Sequence, residues 1–372
     1  MPPRGSIRAA MIERSDRTTS EIVEENQVMT YMFRASCMAL GAAAVALAAG
    51  GGTPMSAQAP AAIEPLHFHH LHLNSVDPEA AAAYYQRPFA KSATKTTFNG
   101  QPAVKTGNIY ILFNKVSAPP TNELTGPQTS VWHFGWNTPN SREYNANFRK
   151  MGLTIAQMWN GNDADSRLVD LSGDVPQPPG GGFPTMEQVL ELRAKGAKVD
   201  PAVTPGGFGY LRGPDGVMIE NAQSGTVERF NHVHMYHEHP NCAVDWYVTH
   251  LGATRPANRA ASAPAGDCHT KLYPPPTFPS FAKNGFVRMP NGVLIDDISI
   301  SMQPWPGGGL APTRGRVYDH WAVSTADSDR TVARLKSEGV TFLEEIHPWG
   351  ALRAAMIEGP DRIAIEIVEV KP

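Results

Sequence analysis

One segment of this chain occurs twice, and the repetition limits the possible folds more than any other feature. Residues 68–85 read FHHLHLNSVDPEAAAAYY, and residues 230–247 read FNHVHMYHEHPNCAVDWY. The positions identical between the copies, at one constant offset and without a gap, are Phe68, His70, His72, Pro78, Ala81 and Tyr85. Each copy predicts a β-strand with alternate side chains on one face, followed by a short helix that a proline opens. His70 and His72 therefore share a face, as do His232 and His234.

Two further units follow these copies and resemble each other more faintly. One begins with the segment SVWHFGWNT and the other near Arg316, and their strands carry His133 and His320. Their last hairpins agree better, since LRGPDGVMIE ends at Glu220 and IEGPDRIAIE ends at Glu366. The Gly-Pro-Asp run is typical of a tight turn, and it sets the glutamate a fixed distance along the returning strand. The chain therefore divides into four units of the pattern β-α-β-β(-β).

Matched positions of these units provide two sets of metal ligands. Units one and two supply His70, His133 and Glu220, and units three and four supply His232, His320 and Glu366. Two imidazoles and one carboxylate on one face favour Fe(II), with Mn, Ni, Co or Zn as further candidates. A single strand histidine is more often a hydrogen-bonded core residue, but the same set written twice favours metal binding.

The four-unit layout, the strand histidines and the GPDG-x-x-x-E ending resemble the vicinal oxygen chelate superfamily. That superfamily includes glyoxalase I, extradiol dioxygenases, fosfomycin-resistance enzymes and bleomycin-binding proteins. The resemblance implies an α+β fold of four βαβββ modules paired into two glyoxalase-like half-barrel domains. It further implies that modules one and two form a domain over residues 66–225, and modules three and four a domain over residues 228–370. Each half-barrel would hold one metal, which binds two adjacent oxygens of a small-molecule substrate.

The resemblance places the family's metal positions on the two sets of ligands already named. His72 and His234 lie two residues beyond the first ligand of each repeated strand. We expect them to be second ligands, hydrogen-bond partners of ligands, or catalytic acid–base groups.

Departures from the family patterns limit the prediction of activity. The first unit offers no glutamate at the position of a further glyoxalase I ligand, and unit three offers only Asp296 and Asp297 nearby. The histidine that extradiol dioxygenases carry before their final Tyr and Glu is absent from residues 190–210, while His347 precedes Glu366 in the second half. We therefore expect a metal-dependent enzyme of the dioxygenase type. The alternatives are a glyoxalase-like isomerase or lyase with Zn, Ni or Mn, and a non-catalytic binding protein of the bleomycin-resistance kind.

Composition excludes one class of partner. The 372 residues include 41% hydrophobic and 18% charged residues, enough for a sizeable core and about two domains. The formal charge of −3 and the absence of long Lys/Arg runs argue against nucleic acid as a partner. The sequence does not indicate an oligomeric state.

The N-terminal residues are predicted to lie outside the globular part. Residues 1–31 are polar and aperiodic, and we interpret them as a non-structural extension. Residues 32–59 supply Arg34, an apolar stretch and an Ala-Gln-Ala site, which together are typical of a signal peptide. The predicted location is periplasmic or secreted, with no membrane anchor after cleavage. The alternative is a disordered Ala/Gly-rich tail.

Two cysteines and two long loops complete the sequence-based predictions. Cys37 lies in the predicted signal, so Cys242 and Cys268 remain, either as a disulfide or as unrelated thiols. Residues 160–206 form a Pro/Gly-rich insertion, which we interpret as a lid over the first site, with a disordered segment as the alternative. Residues 254–283 form a second excursion, rich in Pro and Ala.

Overall fold

The computed structural model describes residues 64–122, 125–155, 194–196, 208–223, 225–256, 267–269, 291–305 and 309–371. The extension, the signal peptide, most of the lid and most of the second excursion therefore lie outside the described residues. Residues 62–372 form one compact unit.

Four α-helices, two short 3₁₀ helices (Pro214–Gly216 and Pro360–Arg362) and fourteen strands are found within the described ranges. The helices are α1 (Pro78–Tyr85), α2 (Ser141–Lys150), α3 (Pro240–Leu251) and α4 (Ser328–Ser337). The strands of unit one are β1 (His67–Ser75), β2 (Thr94–Phe98), β3 (Gln101–Thr106) and β4 (Ile109–Lys115). Those of unit two are β5 (Val131–Asn137), β6 (Phe208–Arg212) and β7 (Met218–Ala222). Those of unit three are β8 (Arg229–His237), β9 (Asn291–Ile295) and β10 (Ile298–Pro304). Those of unit four are β11 (Tyr318–Thr325), β12 (Phe342–Trp349), β13 (Leu352–Glu358) and β14 (Ala364–Glu369).

The helices begin where the sequence predicts. Pro78 and Pro240 open α1 and α3, where a missing N–H costs nothing. The side chain of Asp77 accepts a hydrogen bond from Ala80 N and so caps α1. Gly252 ends α3 in the left-handed conformation, with φ 68°. The α+β class and the strand-helix-strand layout of the units are confirmed.

The strands form two sheets, and the sheets join different units from those predicted. One sheet has eight strands in the order β12-β13-β14-β11-β1-β4-β3-β2, and so combines units one and four. The other has six strands in the order β6-β7-β5-β8-β10-β9, and so combines units two and three. The predicted pairing of unit one with unit two, and of unit three with unit four, is therefore wrong at the level of the sheets.

Hydrogen-bonding edges explain the pairing. One edge of β1 is occupied by parallel β4 and the other by antiparallel β11. Strand β5 likewise lies between parallel β7 and antiparallel β8. Units one and two meet through their apolar side chains instead: the ring of Tyr85 on α1 lies 6.0 Å from that of Trp136 on β5, and Phe89 stacks on Trp136 at 4.2 Å. Units one and two therefore share a core but not a sheet.

The Gly-Pro-Asp turns connect the two sheets. Asp215 and Asp361 adopt positive φ, 56° and 55°, which short polar side chains tolerate. The carboxylate of Asp215 accepts from Val76 N in unit one, and that of Asp361 accepts from the ring of His237 in unit three at 2.6 Å. The turn of unit two therefore binds the strand–helix junction of unit one, and the turn of unit four binds that of unit three.

Cys242 of α3 and Cys268 form a disulfide, which decides between the two alternatives for these residues. No helix among the described residues is both long and apolar enough to cross a membrane.

Candidate metal centres

The sheet of units one and four brings together the side chains of His70, His72, His320 and Glu366, which we name the first centre. In the register of the strands, His72 lies opposite His320, and His70 lies opposite Ala322. Ala322 lies in turn opposite Glu366 on parallel β14. Three adjacent strands therefore place their side chains on the same face at the same level.

Ligand atoms of the first centre converge. Nε2 of His70 lies 3.2 Å and Nε2 of His320 lies 3.7 Å from Oε2 of Glu366. Nδ1 of His72 lies 3.0 Å from Nε2 of His320. All four side chains are buried. The three imidazoles each offer a nitrogen within 4.8 Å of the others, as a bound ion requires.

The sheet of units two and three brings together His133, Glu220, His232 and His234, which we name the second centre. His133 lies opposite His234, while Gly135 lies between His232 on one side and Glu220 on the other. Oε2 of Glu220 is 2.7 Å from Nε2 of His133, 3.3 Å from Nε2 of His232 and 4.0 Å from Nδ1 of His234. All four ligand atoms lie within 4.8 Å of one another.

The structure brings the predicted ligand residues together in two clusters, but in a different grouping from the one predicted. His133 and Glu220 do not join His70, and His320 and Glu366 do not join His232, because the sheets combine units one with four and two with three. The structure also adds a residue to each set. His72 and His234, predicted as second ligands, hydrogen-bond partners or acid–base groups, lie within the clusters themselves.

Other residues weighed from the sequence lie elsewhere. Asp296 accepts hydrogen bonds from the backbone N–H of Phe68 and contacts the ring of His67, and Asp297 pairs with Arg229. The ring of His347 is partly exposed and its Nδ1 contacts the carbonyl of Glu345 on β12, the outermost strand of its sheet. None of the three belongs to a metal-ligand cluster among the described residues.

Electrostatics keep the carboxylates of both centres ionised. Burial raises the pKa of Glu220, but the charges and hydrogen bonds of His232 and His133 outweigh it and hold the pKa well below its usual range. Burial is likewise outweighed at Glu366 by His320 and His70, so its pKa also lies below the usual range. Burial lowers the pKa of His133, which favours the neutral imidazole that a metal binds.

The immediate surroundings of the two centres differ. In the first centre, Nδ1 of His320 lies 2.6 Å from Oδ1 of Asp319, and Arg314 donates to the same oxygen at 2.8 Å. Burial, the largest influence, lowers the pKa of His320, but the hydrogen bonds and charges of Asp319 and Glu366 outweigh it and hold that pKa above its ordinary value. In the second centre, the hydroxyl of Tyr210 donates to Oε2 of Glu220 at 3.3 Å.

Asp319 and Arg314, which lie beside the first centre, were not predicted from the sequence. Asp319 directly precedes the predicted ligand His320, and a carboxylate beside a ligating histidine is a common arrangement that fixes the ring. The position of Asp319 next to His320 could therefore have predicted its role. Arg314 lies outside the repeated segments, and no pattern in the sequence pointed to it.

The donor sets fit a divalent metal ion. Nε2 of His70 and Oε2 of Glu366 lie 3.2 Å apart, are buried and have no hydrogen-bond partner among the described residues. Buried polar atoms without partners are costly, and two of them facing each other inside a cluster of imidazoles are typical of a site for an ion. Imidazole and carboxylate suit Fe, Ni, Mn, Co and Zn.

Comparison with known proteins agrees with this architecture. Residues 229–367 match the model of the Glyoxalase/Bleomycin resistance protein/Dioxygenase superfamily. Among curated proteins, none matches the sequence. Similar solved structures include glyoxalase I from Zea mays, with 14% identity and a TM-score of 0.50, over 82% of this chain and 93% of that chain. A point mutant of the same maize enzyme matches over the same shares with 13% identity and a TM-score of 0.50. At these identities the likeness concerns the fold.

Proposed function

We propose that this chain, a member of the Glyoxalase/Bleomycin resistance protein/Dioxygenase superfamily, is a metal-dependent enzyme that acts on a small molecule through two adjacent oxygens. The observation that carries the proposal is the convergence of three imidazoles and one carboxylate in each of two sheets. A divalent metal bound there would supply a Lewis acid that holds both substrate oxygens and stabilises the negative charge that develops on them.

The number of donors favours proton transfer over reaction with O₂. Six-coordinate ions such as Ni, Mn, Co and Fe(II) keep two positions when the protein supplies four donors, and a substrate with adjacent oxygens fills both. A four-coordinate Zn ion with four protein donors would be closed, which is typical of structural sites. An isomerase or lyase with a six-coordinate ion therefore agrees best with the inclusion of His72 and His234.

The residues of the chain have distinct roles in such a reaction. Glu220 and Glu366 are ionised, so their carboxylate oxygens can accept a proton from the substrate carbon and return it to a neighbouring atom. The imidazoles hold the ion, and burial of both clusters restricts the access of water.

One observation keeps the dioxygenase as a second candidate. Nδ1 of His72 is 3.0 Å from Nε2 of His320, so the two rings can also form a hydrogen bond with each other. If His72 and His234 form hydrogen bonds instead of binding the ion, each centre supplies two imidazoles and one carboxylate. A six-coordinate ion would then keep three coordination positions, enough for a chelating substrate and O₂. In that case they would be the acid–base groups.

The experiment measures two reactions on one protein preparation. Residues 60–372 are purified without chelator under anaerobic conditions, and the metal content is determined. Catechols, α-hydroxy ketones and 2-oxo acids are then tested for deuterium uptake from D₂O and for O₂ consumption. Deuterium uptake without O₂ consumption, abolished by Glu220→Gln together with Glu366→Gln, is the expected result. O₂ consumption would select the dioxygenase, and a protein that cannot be loaded with any metal would refute both and favour a binding protein.

We further propose that the chain is exported. Residues 32–59 supply the predicted signal, and the disulfide between Cys242 and Cys268 suits an oxidising compartment such as the periplasm. Mass spectrometry of the protein recovered from cell fractions tests this, and a soluble cytoplasmic protein that keeps residues 32–59 would contradict it.

A further inference from the structure

Each repeated strand contains an irregularity directly before its first ligand. On β1, Phe68 pairs with Val323 and His70 with the preceding residue Ala322, so His69 is an extra residue. On β8, Phe230 pairs with Trp136 and His232 with Gly135, so Asn231 is the extra residue. A bulge of this kind re-aims the side chains around it and is common next to functional sites.

Both bulges bring the extra side chain onto the ring of the following ligand. Nδ1 of His69 lies 2.8 Å from Nδ1 of His70. Oδ1 of Asn231 lies 2.7 Å from Nδ1 of His232. Two different side chains thus make the same contact at equivalent positions, at the ring nitrogen that faces away from the carboxylate.

We propose that His69 and Asn231 are positioning residues that fix which ring nitrogen His70 and His232 present to the ion. The proposal rests on the proposed metal-dependent function. Nε2 of His70 and Nε2 of His232 face the carboxylate of their centres, so Nε2 is the nitrogen that would bind an ion. A nitrogen that binds an ion must be unprotonated. Nδ1 then carries the hydrogen and donates it, to Nδ1 of His69 in one centre and to Oδ1 of Asn231 in the other. Such contacts orient a ligating ring and raise its basicity.

The surroundings of His69 keep its ring in place. His69 is buried and packs edge-on against Phe98, with ring centroids 5.2 Å apart. Tyr110 lies 5.9 Å away on β4. Because the ring is held by packing and not by the ion, the acceptor for His70 is in place before any metal arrives.

The chain provides its own exchange experiment. His69→Leu and Asn231→Leu remove the acceptor, while His69→Asn installs the residue that performs the role in the other centre. His67→Ala is the matched control, since His67 lies two residues earlier on the same strand with an exposed ring that contacts Asp296. Circular dichroism and thermal unfolding of each variant report whether the fold is kept.

Two readouts separate positioning from a structural role. In the metal-free protein, ¹⁵N chemical shifts identify the tautomers of His70 and His232. In the protein loaded with Co(II), the exchangeable ring N–H of each ligating histidine gives a displaced proton signal, and titration gives the affinity of each centre. We expect His69→Leu to lose the Nδ1–H form of His70 and to weaken Co(II) binding at the first centre about 10- to 100-fold, with the second centre unchanged. His69→Asn should restore both.

Unchanged tautomers and affinities in His69→Leu and Asn231→Leu would overturn the proposal, and so would a failure of His69→Asn to restore binding in a folded protein. If the wild-type protein binds no Co(II), the proposed function fails. The tautomers measured in the metal-free protein would then still show whether His69 and Asn231 determine which ring nitrogen of His70 and His232 carries the hydrogen.

Discussion

Gly135 lies between two ligands of the second centre, and its replacement by alanine tests the geometry of that centre. A Cβ atom at this position would lie 2.5 Å from both Cε1 and Nε2 of His232 and 2.8 Å from Cβ of Glu220. Carbon and nitrogen atoms in contact are normally about 3.5–4.0 Å apart, so the ring of His232 must retreat by roughly 1 Å. Cβ of Glu220 is attached to the backbone of β7 and can move less.

The expected consequences are local. Overpacking typically costs about 1–3 kcal/mol, and the smaller loss of backbone entropy for alanine offsets part of it, so we expect a loss of about 1–2 kcal/mol in the free energy of unfolding. A ring displaced by roughly 1 Å no longer reaches the ion, so metal affinity at the second centre should fall at least about tenfold. The first centre should be unaffected.

The matched control is in the other sheet. Ala322 occupies the equivalent position of the first centre, between His70 and Glu366, and is fully buried. Ala322→Gly should cost about 1 kcal/mol in stability and keep metal binding. Titration of both variants with Co(II), alongside urea unfolding, provides the comparison. A Gly135→Ala protein that is folded and binds metal at both centres like wild type would refute this account of the site.

Three further predictions concern residues around the sites. Reduction of the disulfide between Cys242 and Cys268, which are 26 residues apart, should lower the free energy of unfolding by about 3 kcal/mol, measured by urea unfolding with and without reductant; equal stability in both would contradict it. Tyr210→Phe removes a hydrogen bond to the carboxylate of the second centre, so metal affinity there should fall about tenfold while the first centre keeps its affinity; a uniform loss at both centres would point to a general effect on folding instead. Hydrogen bonds from the side chain and backbone of Ser328 lower the pKa of Glu369, so its stabilising contribution is complete above the unfolded-state pKa of about 4.3 and is lost as the pH falls below it. Glu369→Gln should therefore lower stability at pH 7 and flatten its dependence on pH between about 5 and 3, and an unchanged slope would contradict the assignment.

The members of both centres could be predicted because the signals are local. Strand alternation places the histidines of each repeated segment on one face, and the Gly-Pro-Asp turn sets the position of Glu220 and Glu366 along the returning strand. These relations depend only on residues that are close in sequence, so the structure shows them as predicted.

The grouping of ligands could not be predicted because it depends on which strand edges meet. Nothing in the sequence of β1 distinguishes β5 from β11 as an antiparallel neighbour, since both carry a histidine at the equivalent place. The bulge at His69 was also hidden, because an alternating pattern gives no sign of an extra residue until the partner strand is known. A shared role for His69 and Asn231 could not be predicted from two different residue types, and only their contacts with the rings of His70 and His232 indicate it.

Metal stoichiometry in paired variants tests the central claim most directly. His70 and His320 belong to one centre and His133 to the other, and two ions are expected in the wild-type protein. His70→Ala with His320→Ala should therefore leave one ion, whereas His70→Ala with His133→Ala should leave none. If the second pair retains one ion and the first retains none, the centres are built from units one with two and three with four, and the arrangement described here is wrong.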